Sequence, residues 1–495
     1  MKRYIICFFV AIVVGDLSSQ VTYYQHIDPI IQKQCQNCHR NGDIGPMPLT
    51  TYDEVASYAS MIKFVTDTKL MPPFKADIHK VSYANERSIS EEELELIAQW
   101  IEEGLPVGSP SKQEATKKDL TKEQYDYTVC MAEPFEHYGI YYDQYQVFPL
   151  PIDIPKGQYI TNVVFEPGNR EIVRSANISI APKGTSDEMN QWDPRYGFFA
   201  YGSLGFTASF PNWYSWMPHT DGLQLSENER LFLPTDSELL LHIHYGPYGQ
   251  IETDSSCVHL TFADKAGPTL QNVPFVHNAL LADTFLIESG MKKRFSTSFE
   301  LPLDASLRSV TPLAHLLCRN WEVFAVLPDK TSRSILSIAD WDFHWREKYV
   351  FDDELALPKG TKVYTTATYD NTSENPYNPS VPPHTMKSGP HMYDENFECY
   401  FEIVPVDSKQ GHIIKPFVST ERRISEISFH VSVADTIDLI SHELGTNTTT
   451  HITTKWYQGG THKIQTSNLP SKPGRYCISL QSGNKTIDNW WFVIL

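Results

Sequence analysis

The stretch Cys35-Gln36-Asn37-Cys38-His39 is the strongest indication of the fold of the first domain of this chain. Two cysteines separated by two residues and followed at once by a histidine form the attachment pattern of c-type haem. The spacing suits the chemistry, because each thiol can add to one vinyl group while His39 becomes the proximal iron ligand. The alternatives are a redox disulfide and half of a zinc site. Neither explains His39, and the sequence has no second C-x-x-C pair to complete a zinc site.

Helical signals flank this motif on both sides. Residues 28–34 are predicted to form a helix that leads into it. The stretches Thr51 to Glu54 and Ser90 to Glu93 are spaced as capping boxes, and each precedes an apolar stripe at helical spacing. The order of helix, haem motif, helix, loop and helix is that of a small all-α cytochrome c domain, which we place at residues 20–107.

The distal iron ligand is predicted to be Met71, because a methionine and a histidine are the common ligand pair of cytochromes c. Met71 lies in Lys-Leu-Met-Pro-Pro-Phe, residues 69–74, before the last predicted helix. The two prolines restrict the backbone of this loop and would hold the thioether in place. Met47, Met61 and His79 remain alternatives, and Met71 could instead be an ordinary packing residue.

Length and composition indicate a folded protein of three or four domains, at about 150 residues per domain. Of its 495 residues, 41% are hydrophobic and 20% charged, which argues against a disordered chain. The net charge is −19, from 41 Lys and Arg against 60 Asp and Glu. An acidic surface of this kind repels phosphate backbones, so nucleic acid is not an expected partner.

Residues 1–19 are predicted to be a secretory signal. Lys2 and Arg3 supply the positive start, and an apolar core too short to span a membrane precedes Ser18 and Ser19. The alternative is a short membrane anchor. No later stretch approaches about 18 apolar residues, so we do not expect an integral membrane protein. The expected location is the periplasm in transit, then the outer surface or the extracellular space.

The middle of the chain is predicted to be all-β. Residues 108–124 are polar and indicate a linker, and short alternating strands between turns follow to about residue 406. In the stretch 239–245, the period of two places His242 and His244 on one strand face opposite three apolar residues. Two imidazoles at this spacing can hold one metal ion. The alternative is a polar pair on a solvated or domain-facing side of a sheet.

Four motifs and one long stretch in this region are similar to a known enzyme family. They are Phe165–Arg170, His244–Gly246, Pro312–Leu316, Tyr393–Glu395 and residues 323–371. Their order and spacing resemble those of copper type II, ascorbate-dependent monooxygenases, in particular the bacterial branch, where a cytochrome c segment with a Met-Pro-Pro motif is fused to the module. The resemblance covers residues 23–406. It implies two jelly-roll sandwiches, at 125–262 and 263–407, with one copper each.

The resemblance also implies where the copper ligands would lie. The six ligand positions of the family fall on Arg174, Ser175, His244, Leu313, His315 and Asn396. Only His244 and His315 keep a ligating side chain. Copper needs about three protein ligands for tight binding, and a guanidinium opposes a cation. We therefore expect the monooxygenase chemistry to be lost or changed. A single copper site around His242 and His244 remains open.

Two cysteine pairs are also considered. The resemblance implies a disulfide between Cys130 and Cys257, and Cys318 with Cys399 is a second possible pair. Connectivity cannot be derived from the spacing alone.

The last part of the chain is predicted to be a separate β-sandwich, residues 424–495, after a linker at 408–423. Ile427, Phe429, Val431 and Val433 alternate, and the chain ends in an apolar strand. This block resembles the C-terminal sorting domain of type IX secretion cargo. The resemblance implies the type IX machinery as a partner, an outer-surface or extracellular destination, and removal of the block on export. The alternative is a third structural sandwich.

Three functions follow from these patterns. The first is an exported electron-transfer protein with covalent haem c, whose β-module docks a partner protein or small ligand of unknown identity. The second is an active copper monooxygenase that receives electrons from the haem at a remodelled metal site. The third is a binding module whose haem is structural. The expected fold is multidomain: an all-α cytochrome c domain, an all-β double jelly-roll sandwich and a C-terminal β-sandwich.

Overall fold

The structure is a computed structural model of the 495-residue chain. It describes residues 20–494 apart from 111–124, 140–142, 191–194, 200–211, 219, 221, 226–228, 266–269, 277–284, 302–303, 346, 389–393, 406–410, 415–425, 432–434, 445, 447, 459, 466 and 484. Strands in several sheets dominate, as predicted for a multidomain protein rich in β-sandwiches. The predicted signal lies outside the described residues. Within the described part of the chain, no helix has the length and apolar character to cross a membrane.

The chain divides into two compact units. The first contains the described residues of 1–40, 47–72 and 88–117, and the second those of 41–46, 73–87 and 118–495. Residues 41–46 and 73–87 therefore belong to the second unit, although they lie inside the predicted haem domain.

The first unit is helical. It contains a π-helical turn at Tyr23–Ile27, then α1 (Asp28–Gln34), α2 (Tyr52–Ser57), α3 (Ala59–Asp67) and α4 (Glu91–Glu102). Both predicted capping boxes are confirmed. The Thr51 hydroxyl accepts from the Glu54 N–H at 3.3 Å and the Ser90 hydroxyl from the Glu93 N–H at 3.2 Å, while each glutamate accepts in return from the N-cap backbone. The core between the helices is apolar and includes Tyr23, Ile31, Val55, Ile97 and Trp100.

The second unit begins, after residues 41–46 and 73–87, with an N-terminal sandwich. Its elements are β1 (Tyr127–Cys130), β2 (Phe135–His137), β3 (Gln144–Pro151), β4 (Gln158–Glu166), β5 (Val173–Pro182), α5 (Thr185–Met189), β6 (Phe198–Phe199), β7 (Asn212–Trp216), β8 (Leu223–Gln224), β9 (Leu231–Leu233), β10 (Ser237–Tyr245), β11 (Glu252–Asp254) and β12 (Cys257–Phe262). The larger sheets have the orders β1-β12-β4-β8, with β9 also paired to β4, and β6-β3-β10-β5-β7; β2 pairs with β11. The predicted disulfide is confirmed, because Cys130 and Cys257 are bonded directly across β1 and β12.

A C-terminal sandwich follows. Its strands are β13 (Gln271–Val276), β14 (Leu286–Ile287), β15 (Lys292–Glu300), β16 (Ala305–Leu313), β17 (Cys318–Val326), β18 (Ser332–Ile338), β19 (Tyr349–Leu357), β20 (Lys362–Asp370), β21 (Met386–Lys387) and β22 (Glu398–Pro405). A 3₁₀ turn spans Phe343–Trp345. The two main sheets have the orders β13-β22-β16-β19 and β15-β20-β17-β18, and β14 pairs with β21.

The possible disulfide between Cys318 and Cys399 is not formed. Both side chains are buried, reduced thiols. Cys318 lies on β17 and Cys399 on β22, which belong to the two different main sheets of the sandwich. This pair is a wrong prediction, because both thiols are reduced; both side chains instead belong to the apolar core of the sandwich.

Residues 73–87, here called the strap, close one side of this sandwich. Ala76 forms a β-bridge with Ile338 on β18, and Tyr83 forms one with Phe351 on β19. These strands are the outermost strands of the two main sheets. The strap therefore occupies backbone groups on both sheet edges, which would otherwise be open to pairing with another chain.

The chain ends in a C-terminal block. Its strands are β23 (Gly411–Ile414), β24 (Ile427–Val431), β25 (Asp435–Glu443), β26 (Thr448–Tyr457), β27 (Gly460–Ile464), β28 (Gly474–Ser482) and β29 (Lys485–Ile494). They form sheets of order β23-β24-β27 and β26-β25-β28-β29. The alternation is confirmed for Ile427, Phe429 and Val431, which are buried, while Val433 lies outside the described residues. The predicted linker at 408–423 contains a strand, β23, because its backbone pairs with β24.

Candidate functional site

The two motif cysteines lie on one continuous helical turn after α1. The Cys35 N–H donates to the Ile31 carbonyl at 2.9 Å, and the His39 N–H donates to the Cys35 carbonyl at 2.9 Å. The Cys38 N–H donates to the same Cys35 carbonyl at 3.2 Å. Both cysteines are reduced and partly exposed. The local fold therefore presents both thiols with the imidazole next to them.

The tautomer of His39 follows from its hydrogen bond. Its Nδ1 lies 3.0 Å from the backbone carbonyl oxygen of Met47. A carbonyl oxygen only accepts, so Nδ1 carries the proton and the lone pair of the neutral ring lies on Nε2. A backbone carbonyl at Nδ1 is a common outer partner of a metal-ligating histidine. His39 is therefore prepared to bind a metal through Nε2.

The Cys35 thiol is held in its neutral form. Burial and then the neighbouring Cys38 raise its pKa to about 12. A lowered pKa, which arises near positive charges or helix N-termini, is typical of the attacking thiol of a redox pair, and Cys35 does not have one.

Met71 lies just after α3 on a tight turn. The N–H groups of Leu70 and Met71 both donate to the Val65 carbonyl, at 2.8 and 3.0 Å. The Met71 side chain is 37% exposed. Of its rivals, Met47 packs against the helical core and Met61 is exposed, while His79 belongs to the strap in the second unit.

Helix α3 packs one face against the core of the first unit and exposes apolar side chains on its other face. Ala59, Ile62 and Thr66 are buried against the core of the first unit. The other face and the turn after it leave large apolar side chains exposed: Tyr58, Met61, Phe64, Leu70 and Met71. A contiguous exposed apolar surface in a folded protein usually marks a binding site.

The strand that carries His242 and His244 is covered on both faces. It is β10, which runs between β3 and β5, and all nine of its residues are buried. His244 lies opposite Tyr145 on one side and Ser175 on the other. The side of the sheet that carries the two histidines is thus not solvated, in contrast to one of the sequence-based alternatives.

His244 is held by a carboxylate that the sequence did not single out. Its Nε2 lies 2.7 Å from Asp143 Oδ1, and its ring stacks on Tyr145 with centroids 4.3 Å apart. Burial pushes the pKa of Asp143 upward, but the hydrogen bond from His244 and the charges of His244, His344 and Arg174 outweigh it and lower the pKa. The ionised carboxylate keeps the proton on His244 Nε2, so that nitrogen offers no lone pair to a metal.

The Arg174 side chain packs against the backbone of Gly246, close to His244 in sequence. A Cβ atom added to Gly246 would lie 2.0 Å from Arg174 Nε, so only glycine leaves room for the guanidinium there. The neighbouring Ser175 lies directly opposite His244 in the sheet. At the positions that the resemblance assigns to the first copper, the chain therefore presents a packed cation and a hydroxyl beside the one retained imidazole.

His315 lies in a different polar network. Its Nδ1 lies 3.0 Å from the Asp394 carbonyl oxygen, and its backbone N–H donates to the Glu395 carboxylate. Glu395 also accepts from the Leu317 N–H at 2.8 Å, and burial raises its pKa to about 8. Asn396, where the family has a methionine, donates to Glu398 at 2.9 Å. These bonds hold the loop that carries His315.

The predicted metal-ligating residues thus lie in separate parts of the chain: the Cys35–His39 motif after α1, Met71 after α3, the β10 histidines and the His315 loop. Tyr145 contacts the rings of both His242 and His244. Among the residues that the structure describes, no group of three or more His, Cys, Asp or Glu side chains is arranged to hold a metal ion. Glu395 lies in one of the motifs quoted from the sequence, but its contact with the His315 loop was not foreseen, and Asp143 could not be found from sequence spacing, because its partner His244 lies on β10 about 100 residues later.

Comparison with known proteins adds no family. No family model matches the chain, and no curated protein matches it. A GH2 β-galacturonidase from Eisenbergiella tayi is 13% identical over 50% of this chain and 40% of its own length, with a TM-score of 0.13. The major capsid protein P2 of bacteriophage PM2 is 10% identical over 54% of this chain and 98% of its own, with a TM-score of 0.21. Likenesses this weak carry no functional argument.

Proposed function

We propose that this protein is an exported c-type haem protein for electron transfer, with a β-module that resembles copper monooxygenases but lacks their two copper sites. The observation that carries the proposal is the His39 Nδ1 contact with the Met47 carbonyl, because it leaves the Nε2 lone pair for iron. The proposal also includes a cytochrome c identity for the helical first unit.

The donor set fits haem c. Cys35 and Cys38 would each add across one vinyl group, with sulfur bonding to one carbon and the thiol hydrogen moving to the other. His39 Nε2 and the Met71 thioether would hold the iron, and haem bound in this way would supply a one-electron iron couple. Export is supported by the Cys130–Cys257 disulfide, since such bonds persist in oxidising compartments.

The second apolar face of α3 supports the same function. A haem is a large, mostly apolar ring, and the exposed side chains of Met61 and Phe64 offer a surface of matching character. Removing water from around an iron centre is one of the ways in which a protein sets its reduction potential. These residues are therefore proposed to shield the haem.

The runner-up is the active copper monooxygenase. What favours it is the shared position of His242 and His244 on β10, both in contact with Tyr145. What opposes it is the Asp143 carboxylate on His244 Nε2. Copper analysis of the haem-loaded protein distinguishes the two, because only the runner-up needs stoichiometric copper.

The test of the main proposal is a redox titration of protein matured with haem. We expect one covalently bound haem per chain and a reversible one-electron transition. Protein that carries no covalent haem after maturation would contradict the proposal. Covalent haem that cannot be reduced and reoxidised would instead favour the structural-haem function.

A further inference from the structure

Strand β28 of the C-terminal block is buried on both of its faces. The first seven of its residues, from Gly474 to Leu480, are all buried. Tyr476, Ile478 and Leu480 belong to the core of the block itself. Successive side chains of a strand point to opposite sides, so a strand at the surface of a free sandwich alternates between buried and exposed. Something outside the core of the block must cover the second face.

The second face is formed by β28 and β29 together. Arg475, Cys477 and Ser479 alternate along β28, and Cys477 pairs directly with Trp491 on β29. Cys477 and Trp491 are 0% and 3% exposed. They belong, with Leu444, to the hydrophobic core cluster of the C-terminal sandwich rather than to that of the block. One apolar core therefore continues from the sandwich into this face.

The face lies against the side of the sandwich opposite to the strap. Arg475 donates from Nη1 to the Thr297 hydroxyl at 3.4 Å, and Thr297 lies on β15, the outermost strand of one main sheet. Strand β29 runs beside β13, the outermost strand of the other main sheet. The block thus covers the β15 and β13 edges, as the strap covers those of β18 and β19.

Removal of the block would destabilise both the block and the C-terminal sandwich. Trp491 and Leu444 would be exposed to water, which costs free energy in proportion to the apolar area that becomes accessible. The edges of β13 and β15 would lose their cover and become templates for pairing with other chains. A removable tag with a solvated outer face would carry neither cost.

We propose that the C-terminal block is a permanent part of the second unit, here called the β unit. The block is bound to the C-terminal sandwich through its β28–β29 face and stays in place in the mature protein. The partner of this face is the protein's own C-terminal sandwich. Any export machinery that recognises the block would then do so without removing it. This inference does not depend on the haem.

The experiment cuts the full-length protein between the sandwich and the block. A protease site is inserted within residues 406–410, between the end of β22 and the start of β23, and the cut protein is analysed by gel filtration under native conditions. We expect both fragments to elute together and to separate only in denaturant. Fragments that separate in native buffer would overturn the proposal.

Variants identify the face. Trp491→Ala should increase the fraction of released fragment at least tenfold, and Thr297→Val, on the sandwich side, should increase it without altering the block. The matched control is Trp456→Ala, because Trp456 on β26 is 55% exposed. Equal release from the Trp491 and Trp456 variants would overturn the assigned face. The haem-free Cys35→Ala/Cys38→Ala protein should behave as wild type, which separates this test from that of the proposed function.

Discussion

Arg87 and Glu347 form a bidentate ion pair across 260 residues of chain. The Nη1–Oε1 and Nη2–Oε2 distances are 2.9 and 2.7 Å, and Glu347 is 4% exposed. Arg87 also donates to the Pro73 carbonyl at 2.6 Å. Bidentate contacts between a guanidinium and a carboxylate are among the stronger ionic contacts in proteins. One guanidinium thus joins the two ends of the strap to the sandwich.

Removal of Arg87 is predicted to destabilise the β unit. Above about pH 7, where the Glu347 carboxyl is ionised, Arg87→Ala leaves a buried carboxylate without its cation, and such a change costs about 3–5 kcal/mol. Urea unfolding followed by tryptophan fluorescence measures the effect. The control is Arg294→Ala, since the pair of Arg294 with Glu322 is exposed and worth under about 1 kcal/mol. Equal losses in both variants would show that the strap pair has no special role.

The stability of the β unit is predicted to fall as pH rises from about 4.5 to about 7, through the Glu347 carboxyl. Burial raises the pKa of Glu347 to about 7 from 4.5, although Arg87 and Asn85 oppose the rise. In that interval the folded protein keeps a proton that the unfolded chain releases, so the folded state loses on the order of 3 kcal/mol from this group.

Glu347→Gln should flatten this part of the stability profile, whereas Glu354→Gln on the exposed side of β19 should not. The measurement is the free energy of unfolding at several pH values. A wild-type profile parallel to that of Glu347→Gln would contradict the assignment.

Covalent haem is predicted to depend on Cys35 and Cys38. The double change to alanine removes both sulfurs that could bond the vinyl carbons, so the denatured protein should show no Soret band and the mass of the bare chain. Cys318→Ala is the control, because that thiol is buried in the sandwich. Haem that survives denaturation of the double variant would refute the attachment site.

Met71 is predicted to be the distal ligand. Met71→Ala should abolish the weak sulfur-to-iron absorption at the red end of the oxidised spectrum and lower the reduction potential, because a thioether favours reduced iron. Met291→Ala is the control, since Met291 is also exposed but lies just before β15 in the second unit, and Met61→Ala tests the rival ligand. Loss of the band in the Met61 variant alone would reassign the ligand.

The β-module is predicted to retain no copper after dialysis against a mild chelator. The Asp143 contact engages His244 Nε2, and Ser175 supplies no imidazole opposite it. Ser175→His should raise copper affinity at least tenfold, because cross-strand neighbours lie close enough to share an ion. Ser175→Ala should not. Two tightly held coppers in the wild type, with ascorbate-driven oxygen uptake, would contradict this prediction.

Local patterns predicted local structure well. The Thr51 and Ser90 capping boxes and the alternation around Phe429 are each determined within a few residues, so sequence spacing was sufficient. The period of two around His242 predicted a strand but not what covers its second face. That depends on neighbouring strands, whose positions sequence spacing does not encode.

Contacts between distant segments could not be predicted in this way. The strap has the irregular spacing of a loop, and its partners lie about 260 residues away. The outer face of β28, with Arg475 and Ser479, has the polar character of a solvated surface. The disulfide of Cys130 was implied by family resemblance, whereas the possible pair of Cys318 with Cys399 is not formed, and the spacing of cysteines along the sequence does not determine which of them pair.

Because of the strap, two distant segments of the gene cannot be exchanged independently without loss of stability. Residues 73–87 lie between Met71 and α4, yet they close two sheet edges whose strands are encoded about 260 codons later. During synthesis they emerge long before the strands that they cover, and closing so long a loop slows folding. A recombination event that replaced the segment encoding the helical first unit together with the strap would leave the sandwich with open edges that are prone to aggregation. Exchange of either part alone would therefore be selected against.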